Sequence, residues 1–200
     1  MTKFRGALIT VALAAIALGC AEPPATEIDA AKSALESARA EASEYAPEAL
    51  SAAEDAMSQL ETELKAQEEK FALMRRYETS KQLAASAADA ANAAGEQAVA
   101  EKQRLQTAAS DLIASTRGLI GETQMLVEQA PTGKGTQADI AALKADLAAA
   151  ETTLADAEAS FASGAYGDAV TKAESVQQSV QGVKMAIEEA IAARGGRRGT

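Results

Sequence analysis

The chain has 200 residues, a formal charge of −10 at neutral pH, 3% aromatic residues and 52 alanines. It has no His, no Trp, one Cys and four Pro, which argues against a histidine-based catalyst or zinc site, a disulfide scaffold, and an aromatic-rich β-sandwich or barrel. Ala, Glu, Lys, Leu and Arg together reach 54%, the composition of long helices. Yet large apolar residues beyond position 19 number 34 of 181, few enough to suit a disordered chain. The order of the residues decides between the two.

From the N-terminus, Lys3 and Arg5 precede the apolar run Ala7–Leu18, and Gly19-Cys20 follow. A basic start, a short apolar run and a small residue at the junction form an export signal, too short to span a bilayer. Ile16-Ala17-Leu18-Gly19-Cys20 resembles the bacterial lipobox, with Ala17 where leucine is usual. That resemblance implies cleavage between Gly19 and Cys20, with a diacylglycerol on the Cys20 thiol and acylation of its new amine. Residues 1–19 are thus expected as a lipoprotein signal peptide. Residues 20–27 are expected as the lipidated Cys and a tether containing Pro23-Pro24, reaching only about 20 Å. Ala21 after the cysteine points to the outer membrane where the source has two membranes.

The body follows a 3-4 apolar alternation. Ile28, Ala31, Leu35, Ala38, Ala42 and Tyr45 form one run. Leu50, Ala53, Met57, Leu60, Leu64, Phe71 and Met74 form a second, with Gln67 its polar interruption. Ile140 to Phe161 and Tyr166 to Ala190 repeat the pattern. Such phase retention predicts helices with a narrow seam. The expected fold is all-α, with elongated antiparallel hairpins in a coiled-coil bundle and no β-sheet.

Pro47 marks a helix start. Residues 28–130 form a first helical region, 131–136 (Pro131 to Thr136) a linker, 137–193 a second hairpin turning at Ser163–Gly167, and 194–200 a basic tail. Gly95, Gly118 and Gly121 mark places where the stretch from Tyr77 to Gln129 has room to bend or break. A weak repeat offset by about 90 residues relates Leu50–Ala91 to Ile140–Val180, each copy reaching a Phe and then a Tyr, Tyr77 or Tyr166. In the first copy, the 47–94 hairpin-like segment, Phe71–Tyr77 holds neither Gly nor Pro, so a helix running straight through is an open alternative.

Candidate chemistry is sparse. Glu68-Glu69 and Glu188-Glu189 are helix neighbours that diverge by about 100° and cannot converge on a metal or substrate. Ser80-Lys81 are adjacent and expected at the surface, with no histidine to activate the serine. Gly133-Lys134-Gly135-Thr136 lacks the glycine spacing and preceding strand of a phosphate loop and reads as linker. Tyr77 and Tyr166 are expected as bulky plugs at the turns. Arg194, Arg197 and Arg198 read as a solvated tail. From Cys20 to Ala193, 14 basic residues face 29 acidic ones, a balance that repels nucleic acid and anionic bilayers.

The segment Tyr45-Ala-Pro-Glu-Ala-Leu50 through Arg76-Tyr77 to Ala94 resembles a bacterial lipoprotein family known as domain of unknown function 4398. Its members are Ala-rich helical hairpins behind a lipobox, some fused to an OmpA-like domain. The resemblance implies a location and a fold, and no catalytic residues. No OmpA-like module is found in these 200 residues, so peptidoglycan binding is not carried over.

The sequence therefore predicts a lipid-anchored protein of the bacterial cell envelope, facing the periplasm and acting as a helical structural or adaptor module. Its attachment to the membrane would be through the lipid on Cys20, and self-association or an envelope protein partner is expected, because an alanine-rich seam buries little area. No enzymatic activity, cofactor, metal or nucleic acid is expected. The competing reading is a ligand- or lipid-binding helical bundle.

Overall fold

The computed structural model describes residues 22–130 and 137–195. Among them are five α-helices and no strand: α1 (Ala25–Tyr45), α2 (Pro47–Glu68), α3 (Glu78–Gln129), α4 (Gln137–Ala162) and α5 (Tyr166–Gly195). A 3₁₀ turn, Ala72–Met74, lies between α2 and α3. The signal peptide with Gly19 and Cys20, the 131–136 linker and residues 196–200 of the tail lie outside the described residues. Two boundaries differ from expectation. Helix α1 opens at Ala25, inside the expected tether, where Ile28 N–H donates to the Pro24 carbonyl at 3.0 Å. Helix α5 continues to Gly195, past the expected start of the tail.

The helix seams are where the periodicity puts them. In α1, Ala31, Leu35, Ala38 and Ala42 are buried, and in α2, Leu50, Ala53, Met57 and Leu60. Helix α3 is continuous over 52 residues despite its three glycines. A glycine costs a helix only about 1 kcal/mol relative to alanine, and seam burial along the helix offsets it. Its buried positions step through Ser80, Ala84, Ala87, Ala91, Ala94 and Ala98, then Ala109, Ile113, Thr116, Ile120, Thr123 and Val127.

The described residues divide into two compact units. Unit 1 holds residues 22–39 and Glu48–Ala93; unit 2 holds Ala40–Pro47 and the described residues from Ala94 onward. The division falls within α3 and not at the 131–136 segment, so α1 and α3 each supply residues to both units. In unit 1 the α3 seam is nearly all alanine, and Leu60 is the largest fully buried side chain. Arg39 pairs with Glu54 at 2.8 Å across α1 and α2. Lys81 pairs with Glu27 at 3.2 Å across α3 and α1.

Unit 2 has the bulkier core. Ile113, Ile120 and Val127 from α3 meet Leu147 and Leu154 from α4 and Val176, Val180 and Ile187 from α5. Arg117 pairs with Glu158 and Gln124 bonds Glu151, both across α3 and α4. Helices α4 and α5 pack on each other around a turn that ends α4 with a Schellman motif. Ala165 N–H donates to the Ser160 carbonyl at 2.9 Å and Gly164 N–H to that of Phe161 at 3.1 Å. Gly164 has φ +87°, the left-handed conformation the motif requires and glycine adopts without a Cβ clash.

Candidate functional site

The two hairpins turn in different ways, and the difference produces the most distinctive surface among the described residues. At the α4–α5 turn glycine reverses the chain tightly, and Phe161 stacks on Tyr166 with ring centroids 5.4 Å apart. The α2–α3 turn has no glycine. Helix α2 ends where Glu68-Glu69 put negative charge at its C-terminus, the unfavourable end of the macrodipole. Side chains then close the turn. Arg75 donates from Nη2 to the Glu68 carbonyl at 2.8 Å and from Nε to the Lys70 carbonyl at 3.1 Å. Gln67, the polar break in the apolar run, is buried. Its Oε1 accepts the Arg76 N–H at 3.0 Å, and its Nε2 donates to Glu63 Oε1 at 2.6 Å.

This scaffold holds the intervening residues outward. Met74 N–H closes the 3₁₀ turn on the Phe71 carbonyl at 2.7 Å, and extended backbone at Phe71 and Arg75 brackets it. Phe71 is 75% exposed, Leu73 68% and Met74 70%. The expectation that Phe71 and Met74 continue the α2 seam is therefore overturned. The helix stops before reaching them, and a 3₁₀ turn does not keep the heptad phase. Lys70 and Arg76 are exposed beside them, and Tyr77 is buried behind them as the expected plug. Other exposed large apolar residues, Val99, Met125 and Met185, are single surface positions of the kind every protein carries.

The remaining candidates resolve as follows. Glu68, Glu69, Glu188 and Glu189 are exposed. Among the described residues no group of three His, Cys, Asp or Glu side chains is placed to hold a metal ion. Ser80 is not at the surface as expected. It is fully buried in the α3 seam, three residues after Tyr77, with its Oγ lacking a protein partner. Lys81 beside it is exposed and reaches Glu27. The Glu27 carboxyl is held below the ordinary carboxylate range, first by its own backbone N–H and then by Lys81. A surface groove of about 400 Å³ between α1 and α2 is lined by Lys32, Glu36, Arg39, Glu54 and Glu61 as well as Leu35 and Met57. It is charged and not apolar as small-molecule sites usually are.

In unit 2, Tyr45 joins the α4–α5 turn: its hydroxyl donates to the Gly164 carbonyl at 3.0 Å. Lys102 Nζ lies 5.7 Å from the Tyr45 ring centroid and donates to Glu41 Oε1 at 2.5 Å. Burial, and then the neighbouring Glu44, push the Tyr45 hydroxyl above its ordinary pKa. Glu41 raises that of Lys102. These groups bind one another, with the Lys102 and Glu41 side chains still partly exposed.

Sequence reasoning missed the exposed turn. The available signal was Lys70-Phe-Ala-Leu-Met-Arg-Arg76, four apolar residues enclosed by three basic ones, with Gln67 breaking the seam just before. Among the described residues no helix is long and apolar enough to cross a membrane. No protein-family model, curated protein or solved structure matches the chain.

Proposed function

We propose that this chain is a lipid-anchored protein of the bacterial cell envelope that works as a helical interaction module and not as a catalyst. The observation that carries the interaction reading is the α2–α3 turn, where Phe71, Leu73 and Met74 are held in solvent by a hydrogen-bonded scaffold. Exposed apolar groups clustered on a rigid support are the usual mark of a contact surface. The anchor reading is supported by the basic, apolar and Gly19-Cys20 succession at the N-terminus. The likeness of Tyr45–Ala94 to the Ala-rich lipoprotein hairpins of domain of unknown function 4398 points the same way. Two or more acyl chains on Cys20 would hold the chain stably at a membrane. Ala21 in the position after the cysteine supports outer-membrane placement where the source has two membranes.

Metabolic labelling of cells with a palmitate analogue tests the anchor. Label on the wild-type chain and none on Cys20→Ala is the expected result, and equal labelling of both overturns it. In-cell crosslinking from position 73 tests the interaction reading. Crosslinks to protein or to lipid that disappear when Phe71 and Met74 are changed to Ser support it, and a crosslink pattern indifferent to those changes counts against it.

A further inference from the structure

We infer that the α2–α3 turn is a second membrane contact, in which Phe71, Leu73 and Met74 enter the interface of an anionic bilayer while Lys70 and Arg76 meet its head groups. The inference rests on the proposed lipid anchor at Cys20 for its geometry, and on the turn itself for its chemistry.

The chemistry comes first. From Lys70 to Arg76 the chain carries three positive charges and no negative one, whereas the body from Cys20 to Ala193 has more than twice as many acidic as basic residues. The turn is thus a local reversal of sign, and it coincides with the apolar triplet. Basic side chains around exposed apolar ones are the composition that binds anionic lipid interfaces, through acyl-boundary burial and head-group attraction together. Glu69 and Glu78 bracket the segment and limit it to shallow insertion.

The geometry then selects the membrane as occupant. Glu27 in the first turn of α1 pairs with Lys81 in the first turn of α3 at 3.2 Å. The N-terminal ends of these helices therefore lie side by side, at the end of unit 1 that carries the α2–α3 turn. Cys20 precedes Ala25, the start of α1, by five residues. That length of chain spans at most roughly 18 Å. A lipid on Cys20 would bring the membrane to the same end of unit 1 as the apolar triplet. Binding of the turn would then be an intramolecular second step, with the high effective concentration of a short tether.

The chain has no Trp, so Phe71→Trp installs one fluorescent reporter at the turn. In the full lipidated chain, its emission should shift to the blue on vesicles containing phosphatidylglycerol and be quenched by brominated acyl chains. Residues 21–200, which hold every described element and no acyl site, should bind the same vesicles weakly. Replacing Phe71, Leu73 and Met74 by Ser should reduce that binding about ten-fold. Arg76→Glu should reduce it about five-fold on phosphatidylglycerol and leave binding to pure phosphatidylcholine unchanged. All four positions are exposed, and unchanged circular dichroism verifies the fold.

An emission spectrum indifferent to vesicles, or equal vesicle binding by the triple Ser variant and its parent, overturns the inference. A concentration-dependent blue shift without vesicles overturns it in favour of a second copy as occupant. Failure of the anchor alone reads differently: Cys20 takes up no palmitate analogue, while residues 21–200 still bind anionic vesicles through the triplet, which upholds the turn as a membrane contact.

Discussion

The Tyr45 hydroxyl donates to the Gly164 carbonyl across 119 residues of sequence, tying the last residue of α1 to a turn whose backbone only glycine accepts comfortably. Replacing Tyr45 by Phe removes the donor and keeps the ring. The expected cost is about 1 kcal/mol, read as a lower urea midpoint with an unchanged slope. The same residue gives unit 2 an alkaline limit. The Tyr45 pKa is raised on folding, so the unfolded chain loses this proton first, and stability falls as pH rises above about 10. Lys102, whose pKa is also raised by Glu41, loses its contribution as pH rises through its folded value, in the same direction. Tyr45→Phe should flatten the alkaline part of a stability-against-pH curve.

Gly164→Ala is expected to destabilise the α4–α5 hairpin by about 1 kcal/mol. A Cβ there meets no neighbouring atom, so the cost comes from φ +87° and not from crowding. Gly182→Ala on α5, equally open to a Cβ, should stabilise instead, by up to about 1 kcal/mol through helix propensity. Thermal unfolding of the pair separates conformation from packing.

Among the described residues, two seam positions carry buried hydroxyls with no protein partner, Ser80 and Thr116. Leaving a buried polar atom unpaired costs about 1–3 kcal/mol. Ser80→Ala and Thr116→Val should therefore each raise stability, by about 1 kcal/mol, in denaturant titration. Thr123→Val should not, because the Thr123 hydroxyl already bonds the Leu119 carbonyl at 2.7 Å.

Gln67→Leu restores an apolar residue to the α2 seam and should nevertheless destabilise the α2–α3 turn, by about 1–2 kcal/mol, because the Arg76 N–H loses its acceptor. The readout is amide hydrogen exchange, with faster exchange at Arg76 and its neighbours while α4 and α5 stay protected.

A low-pH effect is expected at the α1–α3 contact. The Glu27 pKa is depressed, so its contribution is present above the unfolded value near 4.3 and is lost as pH falls through the folded one. Glu27→Gln should remove that part of the acid dependence in a titration followed by circular dichroism.

Helix existence, the buried side of α1, α2, α4 and α5 and the glycine turn at Ser163–Gly167 were legible in the residues themselves. A 3-4 spacing states locally which face must be hidden, and glycine at a helix end states locally that the chain can reverse. Gln67 and Ser80 show the limit of that reading. One looked like a flaw in a seam and is the acceptor that closes a turn; the other looked exposed and is fully buried.

The sequence alone determined an all-helical chain with thin alanine seams, poor in the residues of familiar catalytic sites. Only the tertiary structure decided where α2 stops, that α3 runs unbroken through three glycines into both compact units, and that Phe71, Leu73 and Met74 face solvent. The physical reason is that apolar periodicity measures what a helix would bury if it continued. Whether it continues depends on caps such as Arg75 and Gln67, whose hydrogen bonds exist only once the chain has turned.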